Sequence, residues 1–498
     1  MATNAKTFDV VETTIDDIHA AYRSGALTSK ALVQLFIDRI DAVDKAGPKL
    51  NSIISVNPKA IAAAEELDAE YARTGKFKGP LHGIPVLVKD QVETKDVMTT
   101  FGSIAQDGYQ PADDATAIKQ LKAAGAIILA KTAMPDFASS WFAFCSKIGE
   151  TKNPYVLERD PGGSSGGTAA AVAASLGVVG IGEDTGGSIR LPASFTNLVG
   201  VRVTPGLISR NGMSPLVVFQ DTAGPMARTV KDAALLLDSM IGYDPTDEYT
   251  IAALIANQKT SYVDAMDADS MKGARIGVVR NAFGANDNPE AAPVNAVTEA
   301  ALAKLKAAGA VLVDVEIPDL MDHILATSLY GSHSRHDINK FLASRPTMPV
   351  KSLEDVKAQG KFDPSLDLLL EIFDGPAKPE DDPEYFQKLA ARDRFQRLVV
   401  NIIGKHELDA MVFPCVQVVP PTKDEVRAGK HRVLEYPTNT LIAAQTWLPS
   451  ICMPAGFTDA DIPVGIELVV LPYREPELFR LGAGFEKVVG ARRAPKYL

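Results

Sequence analysis

The chain has 498 residues, 46% of them hydrophobic and 23% charged, and carries a net charge of −11. These fractions are those of a globular protein with a large core, and length alone would allow about three domains of ordinary size. The acidic balance excludes the basic face that a nucleic-acid partner requires and argues against docking on an anionic membrane.

The opening stretch MATNAKTFDVVETTIDD has no apolar h-region, so no secretory leader is expected. Residues 1–75 read as an N-terminal helical segment. TTIDDIHAAYRSG puts Thr13 or Thr14 at an N-cap, acids in the first turn and Gly25 at the stop. TSKALVQLFIDRIDAVDKAG repeats the pattern behind Thr28, with apolar residues three and four apart. IPVLV (84–88) is a short β-rich run, read as a buried strand. The longest apolar stretch, TAAAVAASLGVVGIG (168–182), is too short and too rich in Gly and Ala to span a bilayer and reads as core.

One phrase occurs twice, LKAAGAIILA at 121–130 and LKAAGAVLVD at 305–314. Each reads as a last helical turn, a glycine stop and a strand. Such alternation points to an α/β fold with a largely parallel sheet, to which GARIGVVRN (273–281) and DIPVGIELVVLP (461–472) add strand candidates. Residues 315–400 are more polar and helical, with the acid- and proline-rich DGPAKPEDDPEY, and read as an excursion from the α/β body. No low-complexity linker divides the chain, so one domain over 1–498 is preferred to three. Cys145, Cys415 and Cys452 are few, odd in number and far apart, the pattern of a reducing, cytoplasmic compartment.

Three stretches carry chemistry. In HGIPVLVKDQVET (82–94), Lys89 follows directly on an apolar strand; it is either a solvated strand-end lysine or a desolvated one whose amine serves as a base. In RDPGGSSGGTAAAVAASL (159–176), four glycines flank Ser164 and Ser165 ahead of a helix. This is a plain packing turn or a site of close backbone approach. Gly167 stands where a phosphate-binding loop needs lysine. In EDTGGSIRLP (183–192), Thr185, Gly186, Gly187 and Ser188 could present successive N–H groups to one point, as an oxyanion hole does. Asp184 and Arg190 flank that turn as a brace or as a solvated ion pair. His333 and His336 form an HxxH with no accompanying zinc signature, and Cys145 in WFAFC reads as a small buried thiol.

Taken together, VKD at 88–90, PGGSSGG at 161–167 and EDTGGSIRLP at 183–192 resemble the amidase signature family, as does the separation of Ser164 and Ser188 by 24 positions. GPLHGIPVLVKD, AKTAMPDFA, TKNPYVLERDPGGSSGG, DTAGPMARTVKDAALLL and PSICMPAGF…IPVGIEL look like family blocks in family order, most strongly over 79–237. The resemblance implies a single large α/β/α domain with a central mixed β-sheet covered by helices. It implies Ser188 as nucleophile, Ser164 as bridging serine in a cis peptide and Lys89 as terminal base. The N–H groups of Thr185, Gly186, Gly187 and Ser188 would form the oxyanion hole, with Ser165, Asp184 and Arg190 in support and no metal or organic cofactor. Ala138, Ser139 and Gly163 become the expected substrate contacts.

Two positions depart from the family pattern. Glu183 stands where relatives often carry Ser or Thr, and Leu191 where the tRNA-amidotransferase branch usually has Gln. The second favours a free-standing hydrolase, monomer or homodimer, over a member of an amidotransferase complex. The intact Lys89, Ser164 and Ser188 weigh against a catalytically dead binding module. Trp141, Phe142 and Phe144 either shape an apolar pocket or belong to the core. A pocket there would suit small amides, anilides and aryl carbamates (urethanes), with the 315–400 excursion as its outer wall.

Overall fold

The computed structural model describes residues 8–256 and 260–496; the first seven residues of the stretch read for a leader lie outside these. Thirteen strands follow one another among the described residues. They are β1 (Ile53–Val56), β2 (Pro85–Lys89), β3 (Ile127–Thr132), β4 (Phe144–Cys145), β5 (Gly149–Glu150), β6 (Val179–Asp184) and β7 (Val199–Arg202). There follow β8 (Thr222–Ala227), β9 (Arg275–Val279), β10 (Val311–Val315), β11 (Ala410–Pro414), β12 (Ser450–Phe457) and β13 (Pro463–Val469). Eleven of them form one sheet in the order β1-β3-β2-β6-β8-β7-β12-β13-β11-β9-β10, while β4 and β5 pair separately.

Parallel pairing is confined to two wings: β2 with β3 and β6, and β9 with β10 and β11. The six contacts between and beyond them are antiparallel. The sheet is therefore mixed, as the family resemblance implied, and not largely parallel as helix–strand alternation suggested. The reason lies in the middle of the sheet, where β12 returns as β13 after a short turn that needs no helical crossover. Helices cover the sheet, and β2, β3, β6, β8, β11 and β13 are buried along their whole length, which explains their near-continuous apolar runs.

The local signals act through identifiable contacts. Thr14, rather than Thr13, caps the helix Ile15–Arg23: its hydroxyl accepts from the Asp17 N–H at 3.2 Å, while Asp17 accepts from the Thr14 N–H at 3.0 Å. Thr28 caps Ser29–Arg39 in the same way. The helical reading of the N-terminal segment overlooked β1, whose Ile-Ile-Ser-Val run pairs antiparallel with β3 at the sheet edge. In the repeated phrase both glycines end a helix in the left-handed region, Gly125 at φ +93° and Gly309 at φ +97°. The two strands that follow differ: β3 is fully buried, and β10 is the partly exposed edge strand.

The 168–182 stretch divides into the end of the helix Gly166–Ala173, a turn and the start of β6, all buried. Between β10 and β11 lie the helices Leu320–Ala326, Tyr330–Ala343, Leu353–Gln359, Asp367–Phe373 and Tyr385–Lys405. Among the described residues, no helix is long and apolar enough to cross a membrane. The three cysteines are free and buried.

Candidate active site

The parallel register of β2 and β6, with Val88 opposite Ile181, brings the end of one strand against the end of the other. Lys89 closes β2 and is fully buried, and Glu183 is the next-to-last residue of β6. The Lys89 Nζ donates to Ser164 Oγ at 2.8 Å, to the Glu183 carbonyl oxygen at 3.2 Å and to Glu183 Oε2 at 3.2 Å. Burial pulls the Lys89 ammonium below the ordinary lysine pKa, and the Glu183 carboxylate opposes that shift.

The glycine-rich turn delivers the serines. The Gly163–Ser164 peptide is cis, and Ser165 stands at the head of the helix Gly166–Ala173. The Ser165 N–H donates to the Ser188 carbonyl oxygen at 3.0 Å. The Ser165 hydroxyl donates to the Glu183 carbonyl at 3.2 Å and accepts from the Glu183 N–H at 3.3 Å. Ser165 thus ties the Ser164 turn, the end of β6 and the Ser188 turn to one another.

The Ser188 turn is held by a buried ionic frame. The Asp184 carboxylate accepts from the N–H groups of Gly187 (2.8 Å) and Ile189 (3.2 Å), from Arg190 Nε (3.0 Å) and Nη2 (2.9 Å), and from Arg202 Nη1 (2.9 Å). Burial alone would raise the Asp184 pKa, but the two guanidinium groups hold it well below the usual carboxylate range. Arg190 also reaches Glu467 and the Thr440 carbonyl oxygen, so it is a brace and not a solvated pair.

Gly187 sits at φ +128°, and a Cβ there would lie 2.1 Å from Thr440 Oγ1; only glycine fits. Its N–H already belongs to Asp184. The other three N–H groups of the expected set are those of Thr185, Gly186 and Ser188.

The segment 137–140, which carries the expected contacts Ala138 and Ser139, adopts an unusual conformation. Phe137 and Ala138 are consecutive non-glycine residues in the left-handed region, at φ +54° and +62°. Ser139 donates from its N–H and hydroxyl to the Asp136 carbonyl oxygen, at 3.2 and 2.7 Å. The Asp136 carboxyl, pushed up to about 7 by burial, accepts from the N–H and hydroxyl of Ser146. Gly163 lies against this segment, since a Cβ would come within 3.0 Å of the Ser140 carbonyl oxygen.

The neighbouring rings belong to the core: Phe142 meets Tyr436 edge-on at 5.2 Å, and Phe144 lies under the Arg427 guanidinium at 4.4 Å. His333 contacts Asp337 and Tyr385, whereas His336 turns to the Ala377 carbonyl oxygen.

Sequence reading passed over Arg202, Asp221, Glu467, Thr440 and Tyr330. Asp221 opens the DTAGPMART block and Glu467 lies in IPVGIEL, so both stood inside recognised motifs without an assigned role. Thr185 Oγ1 is 2.6 Å from Asp221 Oδ1 and 3.0 Å from Glu183 Oε1. Asp221 also lines a cavity of about 290 Å³ with Met213, Pro215, Val218 and Phe341.

Comparison with known proteins identifies the family. The family model described as Amidase matches residues 31–479, and the chain belongs to the amidase signature family of amidohydrolases. It is similar to a probable amidase of Arabidopsis thaliana, 32% identical over 99% of this chain and 93% of that protein. It is also similar to the glutamyl-tRNA(Gln) amidotransferase A-subunit of Pseudomonas syringae pv. syringae, 34% identical over 97% of this chain and 99% of the other. Among solved structures, the peptide amidase PAM in complex with the competitive inhibitor chymostatin superposes with a TM-score of 0.87 at 33% identity, covering 98% of this chain and 100% of that one. These identities do not separate a free-standing branch from an amidotransferase branch.

Proposed function

We propose that the protein is a free-standing serine hydrolase of carboxamide C–N bonds that works through an acyl-enzyme on Ser188. The observation that carries this reading is the buried Lys89 amine, 2.8 Å from Ser164 Oγ, next to a turn built around Ser188. Neutral Lys89 takes the proton of Ser164 as Ser164 takes that of Ser188. Ser188 Oγ bonds to the carbonyl carbon, and the carbonyl π pair moves to oxygen, where the N–H groups of Thr185, Gly186 and Ser188 receive it. The relay then runs back, giving a proton to the leaving nitrogen as the C–N bond breaks. Water enters, loses its proton to the same relay and hydrolyses the ester. No step calls on a metal or an organic cofactor.

Ala138, Ser139 and Gly163 are proposed to border the bound carbonyl group. Met213, Pro215, Val218 and Phe341 give the adjoining cavity an apolar wall, which suits anilides and aryl carbamates as well as simple amides. The Tyr330 hydroxyl lies against Gly186, 2.1 Å from where a Cβ there would stand, which supports the helices of 315–400 as the outer wall of the pocket. The reading includes one domain over 1–498, a monomer or homodimer and a cytoplasmic setting.

The alternative is a component of a tRNA-dependent amidotransferase complex, favoured by the 34% identity to such a protein. The test compares wild type with Ser188→Ala on an aliphatic amide, an anilide and an aryl carbamate, following release of the amine. Cleavage by wild type alone supports the hydrolase, and the rank order defines the pocket. Turnover that appears only with a co-purifying partner supports the alternative.

A further inference from the structure

No step above uses the Glu183 side chain, although it is fully buried against the proposed base. Three buried basic side chains, Arg190, Arg202 and Lys89, stand in this part of the site. Arg190 is committed to Asp184 and Glu467, and Arg202 to Asp184 and the Gln220 carbonyl oxygen. Lys89 is the one that touches Glu183, at 3.2 Å from Oε2. The opposite oxygen, Oε1, is 3.0 Å from Thr185 Oγ1, which is itself 2.6 Å from Asp221 Oδ1. A hydroxyl carries one proton, so the second of these contacts needs a proton on a carboxyl group. Asp221 is the group that burial and the nearby Glu183 push well above the ordinary carboxylate range. Asp221 in turn is anchored by the N–H groups of Leu216 and Val217. Glu183 is thereby fixed from behind, with its free oxygen turned to Lys89.

We propose that Glu183 is a positioning residue of the relay: its carboxylate holds the Lys89 amine on Ser164 and stabilises the ammonium formed each time the relay takes a serine proton. This rests on the reading of Lys89 as the base. The other groups facing the pair are Asp184 on the same strand, Asp221, Arg202 on β7 and Tyr330 from the following helical region. Just past β2, Asp90 is turned to Lys131, at 3.4 Å.

The test is the pH profile of kcat/KM for anilide hydrolysis by wild type, Glu183→Gln, Glu183→Asp and Ser188→Ala. Glutamine keeps the shape and removes the charge. Because a carboxylate beside a base raises its hold on a proton, Glu183→Gln should move the acid limb down by about one pH unit or more. It should also lower the plateau about tenfold, since the new ammonium loses its counter-charge. Glu183→Asp keeps the charge one methylene further away and should shift both quantities less, in the same direction. This variant carries the test if Glu183→Gln does not fold. A merely structural role would lower the plateau and leave the acid limb in place, which would overturn the proposal. Wild-type turnover by Ser188→Ala would sink the relay and the proposal with it. An inactive Ser188→Ala beside a wild-type profile in Glu183→Gln would remove Glu183 alone.

Discussion

Replacing Arg190 with methionine tests whether the ionic frame holds the Ser188 turn. The guanidinium is fully buried and serves two carboxylates, Asp184 and Glu467. After Arg190→Met, Asp184 keeps Arg202 at 2.9 Å, while Glu467 keeps no cation among the described residues. Removing one partner of a buried pair costs about 3–5 kcal/mol, because the other charge stays buried without compensation. The orphan also gives the loss a pH signature. Burial already holds the Glu467 carboxyl above its ordinary range, with Arg190 opposing, and loss of Arg190 raises it further. A carboxyl group raised in the folded state binds its proton more tightly there than in the unfolded chain. Its contribution to stability is therefore greatest below the unfolded pKa and is lost as pH rises through the folded one. Urea unfolding of the variant should show a deficit of about 3–5 kcal/mol at about pH 8, shrinking toward about pH 5, with an unchanged m-value. A deficit under about 1 kcal/mol at the higher pH, or one that grows toward acid, would refute the argument.

Three further outcomes follow from the same geometry. Gly187→Ala sets a Cβ 2.1 Å from Thr440 Oγ1, whose hydroxyl donates to the Gly186 carbonyl oxygen. Distorting that turn should cost about 10²–10³ in kcat, read by steady-state kinetics on the best substrate of the panel. Ser164→Ala cuts the relay in the middle and should lose about 10²–10⁴ in kcat/KM while retaining wild-type circular dichroism. In wild type, kcat/KM should fall as pH drops and Lys89 gains a proton, with the limb below the ordinary lysine value because burial disfavours the ammonium. A flat profile from about pH 5 to about pH 9 would remove lysine from the base role.

What the sequence disclosed depended on whether the signal was local. Thr14, Thr28, Gly125 and Gly309 act within a few residues of themselves, and each did what its type predicts. Sheet pairing is not local. The LKAAGA phrase gives helix then strand in both copies, yet it says nothing of a neighbour such as β8, which reaches β6 and β7 through antiparallel pairing. Lys89 was visible as a lysine on an apolar strand, but its complete burial depends on β6 and the Ser164 turn arriving from elsewhere in the chain. Arg190 beside Asp184 suggested a brace. The partner that makes it a frame, Glu467, lies 277 positions away. Asp221 was inside a recognised motif and had no role until the fold set it against Thr185. The Gly187 N–H pointed to the oxyanion hole by type alone; only the folded turn shows it bound to Asp184.

The central claim is that a lysine-driven serine relay forms a covalent intermediate on Ser188. The direct test is intact-mass and peptide-level mass spectrometry of the enzyme quenched during turnover of an aryl carbamate, from which the amine leaves and the alkoxycarbonyl group stays on the serine as a carbonate ester. The account predicts an added alkoxycarbonyl mass on the peptide containing Ser188. The adduct should be absent in Ser188→Ala and should form far more slowly in Lys89→Ala. Amine release with no adduct on that peptide, or the same adduct in Ser188→Ala, would contradict it.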